Sequence, residues 1–321
     1  RSTTTNPTYT PVNRTGWDRY MGGKIDQKKD EVADADGVNH QVCEKFGIDV
    51  PIINAFPVLN SVPEDDRAVE LMKAYNELLL DKFLDEYDHF RGLATVATQK
   101  PEAAAEEIDR LGDDDSIVGV YIATTGAERP LGDPRFDTIY QACEDNDIHV
   151  GYHGSGGAFM FDFPKQNQGF EKFINVHTMA HAWSQMMTLG SIVVQGVPEK
   201  FPDVNFTFLE AGLTWVPYMM FRLNKEYSIR RSEAPLLEKS PEEYIRDFYF
   251  SSQPVGEAND PAHMGQILEV LGADSMVFSP DYPPWDFDHP EALDQYLRET
   301  FSEEERRKVL SENAIEAFDL E

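Results

Sequence analysis

The stretch SIVGVYIATTGAERPLGDPRFDTIYQACEDNDIHVGYHG (116–154) carries the pattern that decides the fold. It opens with SIVGVYIAT (116–124), apolar at most positions and rich in Val, Ile and Tyr, as a strand buried on both faces must be. A helical segment with an Asp cap follows, DPRFDTIYQACEDN (133–146), and then a second β-type run, DIHVGYHG (147–154). Two buried strands joined through a helix form a βαβ unit, which implies a parallel sheet.

The same alternation extends in both directions. Upstream lie FGIDVPIINAF (46–56) and RGLATVAT (91–98); downstream lie NFTFLEAG (205–212), FYFSS (248–252) and DSMVFSPD (274–281). PEAAAEEIDRL (101–111) reads as a helix, with proline at its first turn and early acids that complement the helix dipole. SPEEYIRDF (240–248) pairs Ser240 with Glu243 as a capping box, and SEEERRKVLSENAIEAFDL (302–320) repeats it with Ser302 and Glu305. No linker or fixed-period repeat divides the chain. The expected organisation is an irregular, polar segment over 1–45 and one α/β domain over 46–321. Seven β-type runs leave two architectures open, an open doubly wound sheet or a (β/α)8 TIM-type barrel whose first strand is missing.

Charge is the strongest compositional signal: 58 acidic against 28 basic residues give a net charge of −30. Such a chain repels nucleic acid and anionic membranes, so neither is an expected partner. The acids are dispersed, as in GDDDS (112–116), CEDND (143–147) and SEEE (302–305). Halophilic proteins carry this pattern, with salt screening the self-repulsion. No apolar run approaches the ~20 residues of a membrane helix. The polar start RSTTTNPTYT lacks the order of a signal peptide, which points to the cytoplasm. Cys43 and Cys143 are too few for a disulfide framework or a metal knuckle.

In a parallel barrel the C-terminal strand ends carry the chemistry. Three β-type runs end in His153, Glu210 and Asp281, an imidazole and two carboxylates suited to zinc or another first-row divalent ion. Such an ion lowers the pKa of its bound water towards ~7. Each residue also has a plain structural role open to it: a core histidine, a helix cap for Glu210, and a turn former for Asp281 before Tyr-Pro-Pro. HTMAH (177–181) sets His177 and His181 on one helical face, but Thr178 stands where the zincin motif needs Glu, so a metalloprotease is not expected. The glycines of GSGG (154–157) fit neither a dinucleotide fingerprint nor a nucleophile elbow. WVPYMMF (215–221) reads as core or subunit interface, with a substrate wall second.

VPEKFPDVNFTFLEAGLTWVPYMMFRLNKEY (197–227), VFSPDYPPWDFDHPE (277–291) and YHGSGG (152–157) together resemble the amidohydrolase-related family of aminocarboxymuconate-semialdehyde and resorcylate decarboxylases. The likeness runs from about residue 40 through the terminal SENAIEAFDL. It implies a (β/α)8 barrel with one divalent metal, zinc first and manganese second. His153 and Asp281 match metal ligands, and Asp281 also handles protons. Glu210 falls where many members carry a catalytic histidine. Arg222 matches an arginine that binds a substrate carboxylate, in some members across a dimer, and Trp285 joins it as a substrate-binding candidate. The chain departs from the family in lacking the ligand pair of the first strand, in Glu210, and in Pro284 where the family has histidine.

The resulting expectation is a metal-dependent carboxy-lyase, forming a homodimer or higher homo-oligomer and acting on a small aromatic or unsaturated carboxylate. Its site residues are His153 and Asp281 for the metal, with Asp281, Glu210, His177 and His181 in catalysis. A hydrolase of an ester, lactone or amide on the same scaffold is the alternative, and a non-catalytic binding barrel the third. The missing strand, with further metal ligands, is expected upstream of Arg1.

Overall fold

The computed structural model describes residues 32–54, 59–154, 173–254, 261–283 and 288–320. All seven β-type runs contribute strands: β1 (Ile52–Asn54), β2 (Arg91–Thr95), β3 (Ile117–Ala123), β4 (His149–His153), β5 (Phe206–Leu209), β6 (Tyr249–Ser251) and β7 (Met276–Val277). They lie side by side in chain order, each parallel to its neighbour. Strict chain order decides between the two architectures. A doubly wound sheet reverses its order at a switch point, whereas a (β/α)8 barrel does not. The described strands form a curled TIM-type sheet one strand short of eight.

Helices supply the crossovers: α1 (Asp65–Lys82), α2 (Pro101–Leu111), α3 (Asp137–Asp145), α4 (Phe173–Val194), α5 (Val216–Arg230), α6 (Pro241–Arg246) and α7 (Pro261–Leu271), with α8 (Pro290–Thr300) after β7. Helix α2 shows why the pattern works. Ala104, Ala105, Ile108 and Leu111 recur at helical spacing and are all buried, while Glu102 and Glu106 face water. Among the described residues no helix is long and apolar enough to cross a membrane.

Strand alternation divides the core in two. Outward side chains of β4, β5 and β6 build an aromatic layer under the helices, in which Phe208 packs on Phe250 at 5.4 Å between ring centres. Burying one such ring contributes about 1.5–3 kcal/mol. Inward side chains Leu93, Tyr121, Tyr249 and Val277 meet Ala317 and Phe318, which close the interior from the chain's C-terminal end. Gly119 leaves room for this plug: a Cβ there would lie 2.7 Å from Leu93 Cδ2 and 3.5 Å from Phe318 Cε1. Cys143 is buried, and that burial pushes its thiol up, so it stays protonated and inert.

Two local readings differ from the sequence. Residues 35–45, expected irregular, are helical: Asp34 caps Ala35–Val38 by accepting from the Gly37 amide, and a wider turn continues over Asn39–Lys45. The terminal segment is helical from Glu303 to Ala317, as expected, but with a wide turn over Lys308–Glu312 between Glu303–Arg307 and Asn313–Ala317. Buried Asn313 follows that turn, its amide donating to the carbonyls of Ala273 (2.7 Å) and Met276 (2.6 Å). Both capping boxes form as expected.

Candidate metal centre

Three side chains from three elements converge at the C-terminal mouth of the strands. His153 is the last residue of β4 and is buried. Glu210 follows β5, and its backbone amide donates to Ser251 Oγ at 2.8 Å. His181 comes from α4 and fits there because residue 154 is glycine: a Cβ at Gly154 would lie 2.8 Å from His181 Cα. His153 Nε2 stands 2.6 Å from one Glu210 oxygen, and His181 Nε2 stands 3.4 Å from the other. One ligand atom from each residue can be chosen so that all three lie within 4.8 Å of one another.

Two buried imidazoles and a carboxylate are a donor set that first-row divalent ions take, with further positions left for other ligands. The surroundings fit this use. His153 Nδ1 lies 2.5 Å from the Gly154 carbonyl, a contact that orients the ring so that Nε2 faces Glu210 and is the atom placed to bind an ion. Burial alone would raise the Glu210 carboxyl, but the imidazoles of His181, His153 and His177 outweigh it and hold it down to about 2. Glu210 is therefore a carboxylate at any working pH, as a ligand must be.

Backbone strain marks the same residues. Among the described residues four non-glycine positions have positive φ, and two of them are Glu210 (55°) and Asp281 (54°). Left-handed backbone costs a non-glycine residue roughly 1–3 kcal/mol and persists where the surroundings impose it. Asp281 follows β7, so it stands at the same strand end, but it lies outside the His153–His181–Glu210 group. His177 sits one turn before His181, with ring centres 5.5 Å apart. Arg222 lies on α5 with its side chain 57% exposed, ion-paired to Glu226 at 2.5 Å. Trp285 lies outside the described residues.

His181 and Glu210, expected in catalysis, stand as candidate ligands beside His153. Tyr121, not among the residues expected there, has its ring 5.6 Å from that of His153. Burial, then the charge of Glu210, pushes the Tyr121 hydroxyl up, so it remains an O–H donor. Its signal was the two-residue alternation of SIVGVYIAT, which turns Tyr121 and Ala123 inward together.

A parallel barrel with this donor set at its mouth is a metal-binding β/α-barrel enzyme by class. The chain belongs to the amidohydrolase family, whose model matches residues 54–320. It is 22% identical over 295 residues to gamma-resorcylate decarboxylase of Rhizobium sp. (strain MTP-10005), covering 88% of this chain and 86% of that protein. It is 22% identical over 298 residues to 2-amino-3-carboxymuconate-6-semialdehyde decarboxylase of Dictyostelium discoideum, covering 88% and 76%. The crystal structure of 5-carboxyvanillate decarboxylase from Sphingomonas paucimobilis shares the fold at a TM-score of 0.77 and 20% identity, covering 92% of this chain and 87% of that one. The dihydroxybenzoic acid decarboxylase of Polaromonas sp., with bound manganese and the inhibitor 2-nitroresorcinol, does so at 0.74 and 17%, covering 94% and 92%.

Proposed function

We propose that the chain is a cytoplasmic, metal-dependent carboxy-lyase acting on a small aromatic or unsaturated carboxylate. The observation that carries this reading is the buried His153–His181–Glu210 cluster at the strand ends of an amidohydrolase-family barrel. The decarboxylase names of its relatives support the reaction type. His153, His181 and Glu210 hold the ion, zinc first by donor set and manganese second; the manganese of the Polaromonas enzyme supports the second choice. The bound ion supplies a Lewis acid for the substrate's oxygens.

Asp281 moves the proton. The bond between the substrate carbon and its carboxylate breaks, the electron pair stays on that carbon, a proton from Asp281 joins it, and carbon dioxide leaves. His177, next to His181 at the mouth, orients the substrate. The test is carbon dioxide release from a panel of hydroxybenzoates and unsaturated dicarboxylates by zinc- or manganese-loaded protein. Asp281→Asn is expected to lower kcat by about 10²–10⁴-fold, the usual worth of a positioned acid–base group, and the ion content of the variant decides whether Asp281 is also a ligand. Hydrolysis of an ester, lactone or amide without carbon dioxide release would replace this reading with a hydrolase.

The enzyme works as a homo-oligomer. Helices α4 and α5 pack together where Met219 approaches Gly190, and they expose Met179, Met187, Tyr218 and Phe221. Apolar exposure of this kind marks an interface. Arg222, Lys225 and Arg230 on α5 are cations in a chain of net charge −30, matched to the acidic surface of a second copy, whose substrate carboxylate Arg222 reaches. Sedimentation should give a dimer or larger species that Phe221→Asp dissociates. A monomeric parent protein would refute the assembly.

A further inference from the structure

Helix α4 carries more into the mouth than its histidines. His177, His181, Ser184, Gln185 and Thr188 recur at helical spacing, and the last three are buried in a helix whose following residues, LGSIVV (189–194), are mostly apolar. Ser184 Oγ donates to the His181 carbonyl at 3.1 Å and pairs with Thr124 Oγ1 at 2.8 Å. The Thr124 amide donates in turn to the His153 carbonyl at 2.9 Å.

Gln185, with 0% exposure, makes the more telling contacts. Its amide nitrogen donates to the main-chain carbonyl of Tyr152 at 3.4 Å and to that of Leu209. Those are the residues immediately before His153 and Glu210. One amide thus bridges two neighbouring strands, one residue ahead of a candidate ligand on each. The strands end here: the last β4–β5 partners are His153 and Leu209, and the β5–β6 ladder stops at Phe208. A carbonyl oxygen has two lone pairs, so even one that accepts within the β4–β5 ladder can take a second donor from outside the sheet. Gln185 supplies that donor to both carbonyls, while its own Oε1 is buried without a hydrogen-bond partner. An orphaned acceptor is unfavourable, so the two carbonyls dictate where the amide points. A leucine or methionine would fill the space without that cost but could not donate.

We infer that Gln185 is a positioning residue: by tying the Tyr152 and Leu209 carbonyls to α4, it fixes His153, Glu210 and His181 relative to one another and so sets the affinity for the divalent ion. The inference rests on the metal reading above, with a geometric part that does not. Gln185→Met keeps the length and removes the donors. Its dissociation constant for zinc or manganese, measured by chelator competition, is expected to rise about 10–100-fold, the usual cost of losing a group that orients a ligand. Stoichiometry should return at high metal, and kcat at saturating metal should fall while KM changes little. In a metal-free crystal structure of the variant, the His153–Glu210 contact, 2.6 Å in the parent, should open beyond hydrogen-bonding distance. Gln185→Asn, which keeps the N–H donors one methylene short, decides by the same two measurements if the methionine variant does not fold. Parent affinity in a folded variant would overturn the inference. Should the parent take no ion, the metal reading falls, and an unchanged His153–Glu210 contact in the variant overturns the positioning role by itself.

Discussion

Replacing His153 with alanine is expected to empty the metal site and abolish turnover. The loss of ion affinity should exceed the ~10–100-fold that removal of an orienting partner costs, because a donor itself is gone. Metal analysis after dialysis against micromolar zinc or manganese checks this, and retention of one ion per chain would exclude His153 as a ligand. The variant should also be less stable without metal. Glu210 is only 13% exposed, and His153 is the nearer of its two imidazole contacts at 2.6 Å against 3.4 Å for His181. Removing one member of a buried pair leaves an uncompensated charge and costs about 3–5 kcal/mol. Adding Glu210→Gln should recover part of that loss while leaving the site without metal. A double-mutant cycle on metal-free protein therefore separates the stability role of the pair from its ligand role.

The strands were legible because parallel barrel strands are buried on both faces. SIVGVYIAT announces Ile117–Ala123, all seven residues of which are buried. Three mouth positions were also legible, since His153, Glu210 and Asp281 are polar residues ending apolar runs. His181 was legible as a candidate but its place beside His153 was not, because that depends on how closely α4 approaches β4, and only the missing Cβ of Gly154 permits that approach. Gln185 was hidden for the same reason: its meaning lies in two main-chain carbonyls from different strands, which no spacing within HAWSQMM (181–187) reveals. The wide turns at Asn39–Lys45 and Lys308–Glu312 escaped because periodicity places a helix, or its absence, without showing where a turn is stretched.

Raising potassium chloride from about 50 mM to about 3 M is expected to raise the melting temperature by more than about 10 °C, given that ~1 kcal/mol corresponds to ~2–4 °C in a domain of 150–250 residues and less in a larger one. The chain carries 58 acidic side chains and 28 basic ones, so after every cation has taken one partner, 58 − 28 = 30 carboxylates remain. Many of the cations already serve pairs next to their own carboxylates, such as Arg298–Asp294, Arg246–Glu242 and Arg307–Glu312. Exposed pairs of this kind contribute about 0–1 kcal/mol each and do not offset the remaining repulsion. Screening length falls from about 10 Å at 0.1 M to about 3 Å at 1 M, so the gain from screening should be largest below molar salt. Preferential exclusion of a salting-out anion such as sulfate keeps stabilising at higher concentration, which distinguishes it from charge screening. Asp113→Lys with Asp115→Lys, two exposed acids in one loop, should raise the melting temperature in low salt and flatten its dependence on salt. A melting temperature that stays within about 2 °C across the whole range, less than ~1 kcal/mol of change, would mean that the dispersed acids leave the folded state little strained by their charge, and the halophilic reading of the composition would fall.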